Sequence, residues 1–232
     1  MKNLNLFRKS ARGSEGSTLV STVVRPSFDR RSTVVKHLAF MLLFLLGSLN
    51  VWGEDVEIVS TFAKVKNESP TASFTASNTG SNNVYSTGTT FTITSKENNV
   101  WTLAPSTSGS IYFSMNNSEG GFHLGSKNYD AGDATLTSST SFLNVTQIKI
   151  SGKNGKSGSV TISVKVGNTS ISLKQGSSET FSGSTVATAT FISASPISGT
   201  VEVTMTDGAN NIAYYIESIT ITTSTGIPES TD

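Results

Sequence analysis

The chain contains no cysteine in its 232 residues. That excludes a disulfide framework, a lipid anchor on a processed N-terminal cysteine and the usual thiolate zinc sites. Arginine stops early. Arg8, Arg12, Arg25, Arg30 and Arg31 are the full set, and none follows. Beyond residue 53 there is one tryptophan, Trp101, and one histidine, His123. Proline is sparse, at 5 residues. No stretch carries an amphipathic 3.6-residue period of useful length, so a helical fold is not expected. No apolar run reaches the roughly 20 residues of a membrane-spanning helix.

What is present begins with one short greasy run, Leu38 to Leu46. Its length suits the apolar stretch of a signal peptide, roughly 7–15 residues. Lys36, Arg30 and Arg31 lie on its N-terminal side, the side expected to stay in the cytoplasm. Val51-Trp52-Gly53 puts small residues at the −3 and −1 positions of a cut after Gly53. An uncleaved N-terminal anchor is the competing reading. Residues 36–53 are thus expected to be a signal peptide and 54–223 the exported domain. Residues 224–232 are read as a flexible tail. Residues 1–35 are basic, Ser-rich and aperiodic, and are read as a disordered or mis-called N-terminal extension. The product is expected to be secreted or held at the cell surface, with no membrane span in the mature form.

Removing residues 1–53 takes away eight of the 17 basic side chains and two of the 16 acids. The formal charge moves from +1 to −5, and every remaining fixed cation is a lysine. An acidic domain without arginine is poorly suited to phosphate backbones, so no nucleic-acid partner is expected. About a third of the remaining residues are serine or threonine. A mucin-like stalk is one reading of that composition. The regular apolar alternation favours strands instead, because the branched threonine side chain fits a pleated, half-exposed surface.

Val160 to Val166 alternates cleanly between apolar and polar residues, so one face is buried and the other wet. Gly167-Asn168 and the alternating Thr169 to Lys174 make a tight hairpin. Val145–Ile150, Val186–Phe191, Thr200–Met205 and Ile212–Thr222 read as further strands. The phase of the last slips between Ile216 and Ile219, which predicts a bulge near Glu217-Ser218. Weaker strand patterns cover Glu57–Val65, Thr71–Ser77, Thr89–Thr94, Ser110–Met115 and Gly121–Leu124. A dozen short strands with antiparallel turns predict an all-β fold, an antiparallel β-sandwich or barrel in a single domain.

The segments Gly121–Ser126, Thr135–Ser138, Val145–Ile150, Val160–Gly167 and Tyr215–Ile221 together resemble jelly-roll domains. These recur in secreted and surface proteins of Gram-negative gut and oral bacteria and are similar to carbohydrate-binding modules. The resemblance covers roughly residues 110–223. It implies a jelly-roll-like sandwich and export. Its shared residues are core and turn positions, so it says little about a ligand.

Catalytic constellations are thin. Gly155-Lys156-Ser157 lacks the earlier glycine of a phosphate loop, and a strand rather than a helix follows it. His123 is the only histidine beyond residue 53, too few for a His-rich metal site, and there is no Gly-x-Ser-x-Gly elbow for a triad. No paired carboxylates for glycoside hydrolysis stand out from the acids present. The domain is therefore read as non-catalytic, with no cofactor beyond a structural calcium at Asp130 and Asp133. Those two carboxylates flank Ala131-Gly132 in a loop, where ordinary turn formation competes. Amphipathic aromatics point to a binding face, since such rings stack on sugars while loop amides orient the hydroxyls. Trp101 and Tyr129 follow polar, loop-like residues and, with Tyr85, are the expected ligand-binding side chains. Tyr112, Tyr214 and Tyr215 belong to the same class. Adjacent in a strand, Tyr214 and Tyr215 must face opposite ways. The expected function is recognition of a carbohydrate or other surface polymer. The alternative is a structural or adhesive surface protein acting through protein–protein contacts at strand edges. Oligomeric state is not legible.

Overall fold

The computed structural model describes residues 54–63, 71–115, 120–129, 131–155, 158–208 and 213–225. All belong to the unit Val51–Asp232. The expected signal peptide, extension and most of the tail lie outside the described residues, as do Asp130 and Lys156-Ser157.

The described residues contain fourteen strands and no helix. In chain order these are β1 (Asp55–Thr61), β2 (Ser73–Ala76), β3 (Val84–Tyr85), β4 (Phe91–Thr94), β5 (Val100–Pro105), β6 (Ile111–Ser114) and β7 (Phe122–Leu124). There follow β8 (Ala134–Asn154), β9 (Ser159–Val166), β10 (Thr169–Ser170), β11 (Ser172–Leu173), β12 (Thr180–Ser182), β13 (Ala187–Asp207) and β14 (Tyr214–Ser224). Every pairing is antiparallel, as the all-β expectation required.

Two long strands carry the architecture. The first part of β8 pairs with β5, from Ala134 to Ser138. Its second part, Val145 to Asn154, pairs with β14. β13 accompanies β8 throughout and breaks register between Ile192 and Ile197, again before Gly199, and again before Glu202. These extra residues bend the pair, as bulges do. The sheet thereby folds over itself. One layer holds β2, β4, β5 and the first part of β8, and the other holds β3, β6, β7, β14 and β1. Phe91 of β4 stacks on Phe113 of β6 at 4.2 Å, and Phe62 touches both Trp101 and Phe122, which joins the layers. Val186–Phe191 and Thr200–Met205, expected as two strands, are thus two ends of one bent strand.

Alternation sets the core. In β9, Val160, Ile162, Val164 and Val166 are buried, and the residues between them are exposed or half-buried. Each fully covered aliphatic or phenyl side chain contributes about 1.5–3 kcal/mol. The Gly167-Asn168 turn forms as expected, with Gly167 at φ 56. The Thr169–Lys174 run does not continue as one partner of β9. It splits, and β11 crosses to pair with β13. The predicted bulge in β14 is present, between Ile216 and Ser218. The solvent face of the first layer explains the composition. Thr75, Thr92, Thr102 and Thr137 stand in register on four neighbouring strands.

Candidate functional site

β6, β7, β14 and the second part of β8 are neighbours, and strand parity sorts their residues. Phe113, Phe122, Leu124, Tyr214 and Ile216 point into the core. Their chain neighbours Tyr112, His123 and Tyr215 point the other way, as does Lys153 between buried Gly152 and Asn154. Register lines up three of these: His123 is opposite Tyr215, and Tyr215 is opposite Lys153. Tyr112 sits one strand further out, where its carbonyl accepts the Gly125 N–H at 2.9 Å.

The side chains form a continuous row. His123 and Tyr215 stack with ring centroids 4.3 Å apart and planes 17° apart. The Lys153 ammonium lies 5.2 Å from the Tyr215 centroid, a cation–π distance. Tyr112 meets His123 edge-on at 5.3 Å. Tyr129 lies nearly parallel to Tyr112, at 6.5 Å. A small turn places Tyr129 there. The Ser126 N–H donates to the Tyr129 carbonyl at 2.7 Å, and the Tyr129 N–H returns the bond at 3.0 Å. Lys127 and Asn128, at the tip of that turn, are exposed. Tyr215 is only 8% exposed, because the layer beneath and its neighbours in the row close around it. The row ends at Tyr129, which, like Tyr112, is half-buried, beside the exposed Lys127 and Asn128.

Of the expected ligand-binding residues, only Tyr129 is on this face. Trp101 is a correction. It is fully buried in β5, its indole N–H donates to the Ser60 hydroxyl at 3.1 Å, and Phe62 packs edge-on against it. No ring face is left for a ligand. Asn98, at φ 65, ends the polar turn, and the strand begins two residues later, with Trp101 at an inward position. Tyr85 is half-buried and packs edge-on against core Phe91 at 4.9 Å, and burial raises its phenol above the ordinary value. Opposite Ile111 in register, it shares the core side rather than the aromatic row.

Asp133 serves the scaffold. Its carboxylate accepts the Asp207 N–H at 2.8 Å, and its carbonyl accepts the Ser106 N–H at 2.8 Å. Beside it the Tyr214 hydroxyl donates to the Gly132 carbonyl at 3.3 Å. Burial pushes the Tyr214 phenol well above its ordinary value, and the negative charges of Asp207 and Asp133 add to that. Among the described residues, no three His, Cys, Asp or Glu side chains assemble as a metal-binding group. Asp130, the other expected calcium ligand, lies outside them.

Sequence reasoning named Tyr112 and Tyr215 only as members of a residue class, and gave His123 no metal or catalytic role. The signal that joins them is cross-strand register, which a single sequence does not display.

No family model matches the chain, and no curated protein is similar to it. Among solved structures it is similar to a xylan-binding module, CBM15. The identity is 15%, covering 74% of this chain and 97% of that one, with a TM-score of 0.28. It is also similar to an isomalto-dextranase of Arthrobacter globiformis complexed with panose. There the identity is 12%, covering 73% of this chain and 33% of that one, with a TM-score of 0.29. Likenesses of that size carry no argument about what this chain binds.

Proposed function

We propose that this domain is an exported, non-catalytic binding module for a carbohydrate or another surface polymer. The contact surface is the row Tyr129–Tyr112–His123–Tyr215–Lys153. The observation that supports this reading is the row itself: three polar-tipped aromatic side chains and a lysine on four neighbouring strands, continued by Tyr129 on one turn, on the face away from the core. Tyr129 supplies an apolar ring face for the C–H side of a sugar. Lys127 and Asn128 beside it supply hydrogen-bonding groups at the exposed tip. His123, Tyr215 and Lys153 cover one another's faces, so they hold the row upright rather than form a stacking platform.

The test is a glycan array and a polysaccharide pull-down with wild type, Tyr129→Ala and Tyr112→Ala. Retention by wild type and loss in both variants is the expected result. No retention by wild type, or equal retention by all three, rejects the row as the site.

A further inference from the structure

β1 is an edge strand. Its inner side is laddered to β14, from Asp55 opposite Ser224 to Thr61 opposite Ser218. The Phe62 N–H continues that ladder to the Glu217 carbonyl at 2.8 Å. Antiparallel pairing then fixes the parity. Backbone groups of Val56, Ile58 and Ser60 point at β14, and those of Asp55, Glu57, Val59 and Thr61 point away. The outward side is closed at one end only. The Thr61 N–H donates to the Glu97 carboxylate at 2.7 Å, and its carbonyl accepts the Lys96 N–H at 3.0 Å. The Val59 carbonyl accepts the Asn99 side-chain amide at 2.7 Å. Among the described residues, no hydrogen bond takes the N–H or carbonyl of Asp55 or Glu57, or the N–H of Val59.

We propose that this open length of β1, Asp55–Val59, receives an extended basic segment of a partner protein by strand addition. It is a surface separate from the aromatic row and does not depend on it. Three features select the occupant. Glu54, Asp55 and Glu57 put three carboxylates on one short stretch, and Lys149, 3.1 Å from Glu57, balances one of them. A second copy of β1 paired about Glu57 would set two glutamates directly opposite each other, which is unfavourable. Val56 is 44% exposed on the same face as half-buried Ile58 and buried Ser60, so an added strand with apolar residues on that face covers it. The partner segment therefore alternates basic and apolar residues, with the bases beside Asp55 and Glu57. The turn carrying Lys96, Glu97 and Asn99 stops it at Val59.

The test uses the full chain and a labelled, end-capped synthetic peptide of alternating lysine and valine. Fluorescence anisotropy reads binding, and NMR-detected hydrogen exchange reads the amides. Saturable binding with slowed exchange at the Glu57 and Val59 amides is expected. Glu57→Pro removes an outward N–H and leaves the β14 ladder intact, and it weakens binding about tenfold. If that variant loses its β-sheet circular dichroism, Asp55→Pro replaces it, because its N–H also points outward. Equal binding of a glutamate–valine peptide overturns the proposal, as does unchanged affinity in the folded proline variant. So does protection of other amides only. Concentration-dependent dimerisation that protects Glu57 and Val59 makes a second copy the occupant and also overturns it.

Discussion

The indole N–H of Trp101 donates to the hydroxyl of Ser60 at 3.1 Å, and both side chains are buried. This bond ties β5, in the middle of one layer, to β1, at the edge of the other. Ser60→Ala leaves the indole N–H without its acceptor in a dry site and lowers unfolding free energy by about 1–3 kcal/mol. Trp101→Ala removes that bond and opens a cavity against Phe62, at about 3–5 kcal/mol. Urea titrations followed by circular dichroism measure both. Glycan retention by the folded Ser60→Ala protein stays at the wild-type level. A Trp101→Ala protein that keeps its stability and loses retention would contradict the buried position.

Much of the scaffold was legible because alternation is local. Val160–Val166, the Gly167-Asn168 turn and the bulge at Glu217-Ser218 follow from runs of fewer than a dozen residues. β5 was missed because Asn98-Asn99 reads as loop, while the turn ends there and Val100 already pairs with Thr94. The row was not legible for a different reason. Tyr112, His123, Tyr215 and Lys153 come from four segments, and their meeting depends on register between strands up to a hundred residues apart. Even the parity of Tyr214 and Tyr215 fixes only that they differ, not which one enters the core.

Within the row, the residues separate by role. Tyr129→Ala removes a half-buried ring at the end of the row, touching Tyr112 alone among the rings of the row, so stability falls by no more than about 1 kcal/mol. Ligand retention nevertheless falls. Tyr215→Ala removes a nearly buried ring that supports both His123 and Lys153, and it lowers the urea midpoint as well as retention. Parallel denaturation and pull-down experiments separate the two outcomes. Equal destabilisation by both variants would show that Tyr129 is part of the scaffold.

Gly152 sits under the row, one residue before Lys153. A methyl group there would collide with the Tyr215 carbonyl and come within 2.9 Å of the Phe181 ring. Backbone cannot yield as a side-chain tip does. Gly152→Ala therefore forces β8 and β14 apart where the row crosses them. It costs about 1–3 kcal/mol, the range for overpacking. The thermal midpoint measures the loss. An unchanged midpoint would mean that the two strands have room the geometry does not show.

Glu97 gives the acid limb of stability a local origin. Partial burial raises its carboxyl, but hydrogen bonds from Thr61, its own N–H and Ser95 outweigh that, and the net shift is downward. The unfolded chain then binds a proton more readily than the folded one. The contribution is complete above the unfolded value, about 4.3. It disappears as pH falls through the lower folded value. Glu97→Gln keeps an acceptor for the Thr61 N–H but does not titrate. Its stability, followed by urea midpoints from neutral to acid pH, falls less steeply than wild type over that window. Identical acid limbs would assign the sensitivity to other carboxylates.

At the alkaline end the corresponding group is Tyr214. Burial raises its phenol most, and the charges of Asp207 and Asp133 raise it further. A folded value above the unfolded one means that the contribution is intact below the unfolded value, about 10. It is lost as pH rises from there towards the folded value, because only the unfolded chain can release the proton. Tyr214→Phe gives up the bond to the Gly132 carbonyl, about 1 kcal/mol at neutral pH. Its stability then declines more gently than wild type above pH about 10. Phenolate absorbance gives a second reading. In wild type, one tyrosine ionises only together with unfolding, and in Tyr214→Phe that coupled step is absent. If every tyrosine ionised before the fold was lost, the Tyr214 phenol would not be shielded by the Asp133 loop as described.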